Sequence, residues 1–237
     1  MPLMSLPMPF DGIFLDLYGT LTAGDRQAVE TVCEEIVRDH ALSLSAYELS
    51  VTWGERFFNA LDFCSGPGFK TLYDVEIQTL RETMTALGVE VEATRYAHKL
   101  QHYWKHPPLQ PEVKQFIEAV TIPICIVSNA DRADAEMALA RCEVKVHHIV
   151  TSEDARSYKP DRAIFELALR QTGWRRDRVI HVGDSLHSDV GGALVAGIKS
   201  GWVNRAHRIH DIGTHVPNHE FEDLMGLAEL INGAKPN

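Results

Sequence analysis

Short, uninterrupted apolar runs closed by glycine or polar residues alternate along most of the chain with longer stretches of helical period. The run GIFLDL at 12–17 ends in the turn Tyr18-Gly19-Thr20. IPICIV at 122–127 precedes Ser128-Asn129, the segment 147–150 precedes Thr151-Ser152, and 179–182 precedes Gly183-Asp184-Ser185. Continuous apolar runs of this length suit parallel strands buried on both faces. A last strand is expected within 199–203 and a closing helix near 221–231. Between the strands lie helices. Asn129 or Asp131 can cap the run DAEMALARC, and Asp161 can start RAIFELALRQ, which stops at Gly173.

From residue 22 to 107 the texture changes to helical stretches at 26–40, 47–63, 69–87 and 93–104, with no buried strand among them. This reads as an inserted α-helical cap domain (22–107), with Gly24 as entry hinge and Pro107-Pro108 and Pro111 as exit hinge. The remainder, 1–21 and 108–237, forms an α/β core, a Rossmann-like doubly wound parallel sheet. In such a sheet ligands bind beyond the carboxyl ends of the strands, so the polar residues closing each run converge on one site. Trp53, Phe57, Phe58, Phe63 and Tyr73 read as core residues of the cap bundle. The Gly66-Pro67-Gly68 break can present Cys64, Ser65 or Lys70 toward the site.

The 237 residues, 45% of them hydrophobic, suffice for two compact units. A formal charge of -10, with lysines and arginines scattered, argues against a nucleic-acid surface. The apolar lead-in at 1–10 carries no basic residue and is broken by prolines, so neither a signal peptide nor an anchor is expected. No apolar run reaches the roughly 20 residues of a membrane helix. Cys33, Cys64, Cys125 and Cys142 form no CxxC pair and read as reduced thiols, in keeping with a cytoplasmic location.

Taken singly, Asp16 reads as a structural strand-end carboxylate, Ser128 as a helix cap and Lys159 as a solvated lysine. Together they read differently. Phe14-Leu-Asp-Leu-Tyr-Gly-Thr-Leu21, Ser128 in IVSNAD, Lys159 in SYKPD, and Asp184 with Asp189 in HVGDSLHSDVGGA occur in order at strand ends. This set resembles the four motifs of the haloacid dehalogenase superfamily, spanning 14–201 as core plus insert. The resemblance implies that Asp16 is a nucleophile forming a covalent aspartyl intermediate, with Thr20 orienting its loop and Ser128 and Lys159 holding the substrate's oxygens. It also implies Mg²⁺ on Asp16, the Tyr18 carbonyl and Asp184, with Asp189 ordering the loop or bound water. An anionic nucleophile beside an anionic substrate needs such positive charge. Gly183, Gly191 and Gly192 let the loop pack closely, and His187 reads as a loop residue.

The first motif departs from the phosphatases of the superfamily, which carry a second Asp two residues after the nucleophile to protonate the leaving group. This chain has Tyr18. Tyrosine there resembles the 2-haloacid dehalogenase branch, which displaces halide through an aspartyl ester without metal. Asn129 resembles the residue of that branch that receives the substrate carboxylate. The fourth motif points the other way: the branch has Ser at the position of Asp184 and Asn at that of Leu186, and it uses a cap arginine, for which Arg26, Arg38 and Arg56 are candidates. Asp184 tips the sequence reading toward a Mg²⁺-dependent phosphatase of a small anionic metabolite. The alternatives are a metal-independent dehalogenase and a non-catalytic ligand- or partner-binding protein; a monomer or homodimer suits all three.

Overall fold

The structure is a computed structural model that describes residues 10–209 and 215–233. The lead-in before residue 10 lies outside the described residues. Six strands form one sheet: β1 (Gly12–Leu15), β2 (Ile124–Ser128), β3 (His148–Thr151), β4 (Val179–Gly183), β5 (Lys199–Val203) and β6 (His219–Phe221). Their order is β3-β2-β1-β4-β5-β6, all neighbours parallel. β1 sits at the centre, with Phe14 in register with Cys125 on one side and His181 on the other. It ends two residues short of the apolar run, because the chain turns out of the sheet to open the Asp16 loop. The three-residue β6 was not expected from sequence.

The alternation of side chains along β1 splits the core into two layers. Ile13 and Leu15, with Ile126 and Val182, bury against α5 (Val113–Ala119), α6 (Arg132–Arg141) and α10 (Leu224–Asn232). Phe14, Cys125 and Val127 face the other way, onto α8 (Arg162–Thr172) and α9 (Gly192–Val195). A short α7 (Ser152–Ala155) follows β3. The doubly wound parallel sheet expected from the strand grammar is thus present.

Four helices occupy the insert: α1 (Asp25–Asp39), α2 (Ala46–Asp62), α3 (Leu72–Ala86) and α4 (Ala93–Lys105). Ser45 and Glu48 form a reciprocal capping box at α2. Val32, Ile36, Leu49, Trp53, Leu80 and Tyr96 make a separate apolar cluster. Trp53 is therefore a core residue and Phe57 packs on a junction cluster, but Phe58 and Phe63 are 64% and 90% exposed. Helical period puts these two on the outer face and at the end of α2, which corrects the expectation that they fill the bundle core. Asp131 precedes α6 without capping it. Its carboxylate instead accepts from the Leu72 and Tyr73 amides at 2.7 and 3.0 Å, capping α3 across the two units. At the crossing, Thr22 bridges Leu109, and the Ala23 amide donates to the Pro108 carbonyl at 2.9 Å. All four cysteines are free thiols. No helix among the described residues is long and apolar enough to cross a membrane.

Candidate active site

Asp16 leaves the end of β1 buried, its amide bonded to the Val182 carbonyl of β4 at 3.0 Å. Three elements converge on its carboxylate. Ser128, last residue of β2, donates to Oδ1 at 2.9 Å, and Lys159 Nζ donates to the same oxygen at 2.7 Å. Thr20 reaches back to Oδ2 at 3.2 Å and lies 3.4 Å from Asp184 Oδ1. Four of the residues expected from sequence, Asp16, Thr20, Ser128 and Lys159, are thus joined by direct hydrogen bonds.

Lys159 is 4% exposed, which requires that its charge be met. Asp16 supplies one contact, Asp189 Oδ1 a second at 2.6 Å, and the Val127 carbonyl a third at 3.0 Å. Burial opposes the charged lysine, but the two carboxylates outweigh it and hold its pKa above the ordinary value. One lysine serves two acids. Asp189 also accepts from the Ser185 amide at 3.0 Å and has His181 Nε2 2.9 Å away; against its burial, Lys159 first and then His181 hold it well below the carboxylate range. Burial instead pushes Asp16 up, against the pull of Lys159. His181, fully buried in β4, is pushed down by burial and is a neutral donor to Asp189. Sequence reasoning missed it, although a histidine between Ile180 and Val182 in a strand covered on both faces demands a partner.

The loop after β4 makes this geometry possible. A π-helical turn, Leu186–Gly191, folds Asp189 back over Gly183, where a Cβ would lie 2.1 Å from the Asp189 carboxyl carbon. Gly19 is equally constrained: its φ is +80°, and a Cβ would approach Asp184 Oδ1 to 2.9 Å. Asp184 has a carboxyl pushed up to about 7, by burial first and then by Asp189 and Asp16.

Asp16, Asp184 and Asp189 each offer an oxygen within 4.8 Å of one another, a hard donor set of the kind that suits Mg²⁺. Asp16 and Asp189 already share Lys159, so a cation here would chiefly meet the charge of Asp184, which forms no ion pair among the described residues. The Tyr18 side chain is spent elsewhere. Its hydroxyl donates to the Trp104 carbonyl at 2.8 Å and its ring meets the Trp104 ring edge-on at 5.1 Å. Burial pushes the phenol beyond the range in which it exchanges protons near neutrality. Asn129 locks the lysine loop, accepting from the Lys159 amide at 2.7 Å and donating to its carbonyl at 3.1 Å.

Asn129 and Lys159 also floor a cavity of about 370 Å³, roofed by Phe58 and Leu61 of α2 and flanked by Ser185 and Ser188. At its edge Asp62 and His187 stand 3.5 Å apart across the two units. None of Arg26, Arg38 and Arg56 is among its lining residues.

A buried carboxylate with one serine and one lysine on the same oxygen, at the strand ends of a doubly wound sheet, is an arrangement that can serve a nucleophilic aspartate. The haloacid dehalogenase-like hydrolase model matches residues 10–197, and the chain belongs to that family. Over 230 residues it is 24% identical to an (S)-2-haloacid dehalogenase of Pseudomonas fluorescens, covering 93% of this chain and 96% of the relative. It is 34% identical over 111 residues to the pyrimidine 5'-nucleotidase YjjG of Escherichia coli, covering 46% and 49% of the two chains. The L-2-haloacid dehalogenase of Xanthobacter autotrophicus superposes with a TM-score of 0.80 at 16% identity, over 95% of this chain and all of the other. The preference for a phosphatase that Asp184 gave the sequence reading is not carried by these likenesses, of which the full-length ones are to dehalogenases.

Proposed function

We propose that the chain cleaves a carbon–halogen bond in a small 2-haloacid through an aspartyl ester on Asp16. The observation that carries this reading is the Tyr18 hydroxyl bonded to the Trp104 carbonyl. The position where a phosphatase of this family keeps its leaving-group acid offers no proton, and halide leaves as a stable anion without one. The full-length similarity to an (S)-2-haloacid dehalogenase supports it.

Ser128 and Lys159 bind Asp16 Oδ1 and leave Oδ2, steadied by Thr20, to attack carbon. The new C–O bond forms as the halide departs with the C–X electron pair. Water then adds to the Asp16 carboxyl carbon. Asp184, with a carboxyl near 7 and linked to Asp16 through Thr20, takes one proton of the water and returns it to the departing oxygen of the product; Asp16, left as its acid, releases the other proton to solvent and is again a carboxylate.

A second reading, Mg²⁺-dependent phosphate hydrolysis through an aspartyl phosphate, is favoured by Asp184, a carboxylate without an ion pair among the described residues that lies within reach of Asp16. Those two carboxylates and the Tyr18 carbonyl would hold the ion, which when bound neutralises charge at the transferring group. Ser128 and Lys159 would bind the phosphoryl oxygens.

Halide release from (S)-2-chloropropionate and phosphate release from p-nitrophenyl phosphate, each with Mg²⁺ and with EDTA, separate the two. Halide release unchanged by EDTA is the expected result. Phosphate release that EDTA stops, without halide release, replaces the first reading with the second.

A further inference from the structure

The segment after β5 reaches back to both acid-bearing loops without touching either carboxylate. Arg205 donates from Nη1 to the Gly19 carbonyl at 3.2 Å and from Nη2 to the Thr20 carbonyl at 2.9 Å, bridging the nucleophile loop. Its Nε donates to Glu112, just before α5, at 3.1 Å, and Glu112 is held low by that guanidinium despite its burial. Three residues on, Arg208 donates to the Asp184 carbonyl, which also accepts from Trp202 Nε1 at 3.0 Å. The Arg208 guanidinium stacks over the Trp202 ring at 5.3 Å. Buried Asn204 fixes the turn between the arginines, accepting from the Arg208 amide at 2.8 Å and donating to its carbonyl at 2.9 Å.

We infer that Arg205 and Arg208 form a clamp that sets the spacing of the Asp16 loop and the Asp184 loop by holding their main-chain carbonyls. The inference rests on the hydrolase reading of Asp16 and is indifferent to which bond is cleaved. The arrangement has an electrostatic logic. Asp16 and Asp189 share Lys159, Asp184 has no ion pair among the described residues, and carboxylates brought this close drive their loops apart unless something opposes them. An arginine paired with either carboxylate would occupy the oxygens the chemistry needs. Bound to the carbonyls behind them, it supplies positive charge and fixes geometry while the oxygens stay open. The forked guanidinium is the group that can span two successive carbonyls; an ammonium offers no such planar fork.

The two arginines are positioning residues, and Arg205→Lys and Arg205→Ala test the role. A reacting group misplaced by about 1 Å costs on the order of a hundredfold. Arg205→Ala is therefore expected to lower kcat by about tenfold to a hundredfold with KM within about twofold. Millimolar guanidinium should restore kcat while ammonium does not, and Arg205→Lys should remain impaired. Amide exchange measured by mass spectrometry should accelerate in the peptide carrying 16–21 and stay unchanged in cap peptides. A lysine variant with wild-type kcat, or exchange that rises equally in every peptide, would overturn the clamp. Exchange reads the clamp even if the wild-type protein releases neither halide nor phosphate, a result that would sink the hydrolase reading instead.

Discussion

Tyr18 and Trp104 are joined twice, by a hydroxyl-to-carbonyl hydrogen bond of 2.8 Å and by an edge-on ring contact, so the Asp16 loop and α4 are tied at one point. In the proposed reading the hydroxyl is a strut and not an acid. Tyr18→Phe should therefore keep the ring contact and cost about one hydrogen bond, near 1 kcal/mol of stability. Turnover should fall by less than about tenfold, against the hundredfold or more expected for loss of a general acid. Steady-state kinetics of the variant decide between the two.

Lys159 carries the reverse expectation. Replacing it with Met removes the cation shared by Asp16 and Asp189 and leaves two buried carboxylates unpaired. Breaking a buried pair from one side costs about 3–5 kcal/mol. Lys159→Met should lose turnover entirely and unfold at lower urea. Because the orphaned carboxylates can be neutralised by protonation, its stability deficit should shrink as pH falls toward 4. A deficit independent of pH would mean that lost packing and not lost charge is responsible.

How much of this was legible beforehand depends on where each residue sits. Asp16, Ser128 and Asp184 close strands or follow them, and parallel strands declare themselves as apolar runs, so the fold and these residues come from one pattern, whereas Lys159 lies beyond α7 and is marked by its motif. His181 and Arg205 do not announce themselves that way. His181 acts from the middle of a strand, and Arg205 acts on main-chain carbonyls 186 and 185 residues away, a relation that composition and spacing do not encode. Phe58 misled because aromatic content at helical spacing suggests a core, whereas its side of α2 opens onto the cavity. The direction of the Tyr18 hydroxyl, on which the proposed carbon chemistry leans, is a relation that no spacing gives.

Gly19 and Gly88 allow backbone strain to be separated from site geometry. Both have φ near +80°, +80° and +75° respectively, but a Cβ at Gly19 meets Asp184 whereas at Gly88 it meets nothing within 4 Å. Alanine at either position should destabilise by about 1 kcal/mol through the left-handed conformation alone. Only Gly19→Ala should also lower kcat, by more than about tenfold, as Asp184 is pushed from the nucleophile. Equal activity in both variants would mean that the Gly19–Asp184 contact has no catalytic consequence.

Glu76 sets a pH dependence that begins in the cap. It is 3% exposed, accepts from Trp104 Nε1 at 2.7 Å on one oxygen, and has no partner for the other among the described residues. Burial, opposed by that hydrogen bond and reinforced by Asp131 and Asp134, pushes its carboxyl up to about 8 from an ordinary 4.5. The folded chain then holds a proton that the unfolded chain has released. The group's contribution is fully present below about 4.5 and is lost as pH rises toward 8, at up to about 1.4 kcal/mol per unit. Asp25, Asp131 and Asp184 are raised in the same direction, to about 6, 6 and 7, so the wild-type slope has several sources. Glu76→Gln keeps the acceptor for Trp104, can donate from its amide nitrogen and cannot ionise. Urea midpoints between pH 5 and 8 should therefore fall less steeply in the variant, which should be the more stable protein at pH 8. Parallel curves for the two proteins would show that Glu76 is ionised in the folded state and that Trp104, which also holds Tyr18, answers to a charge.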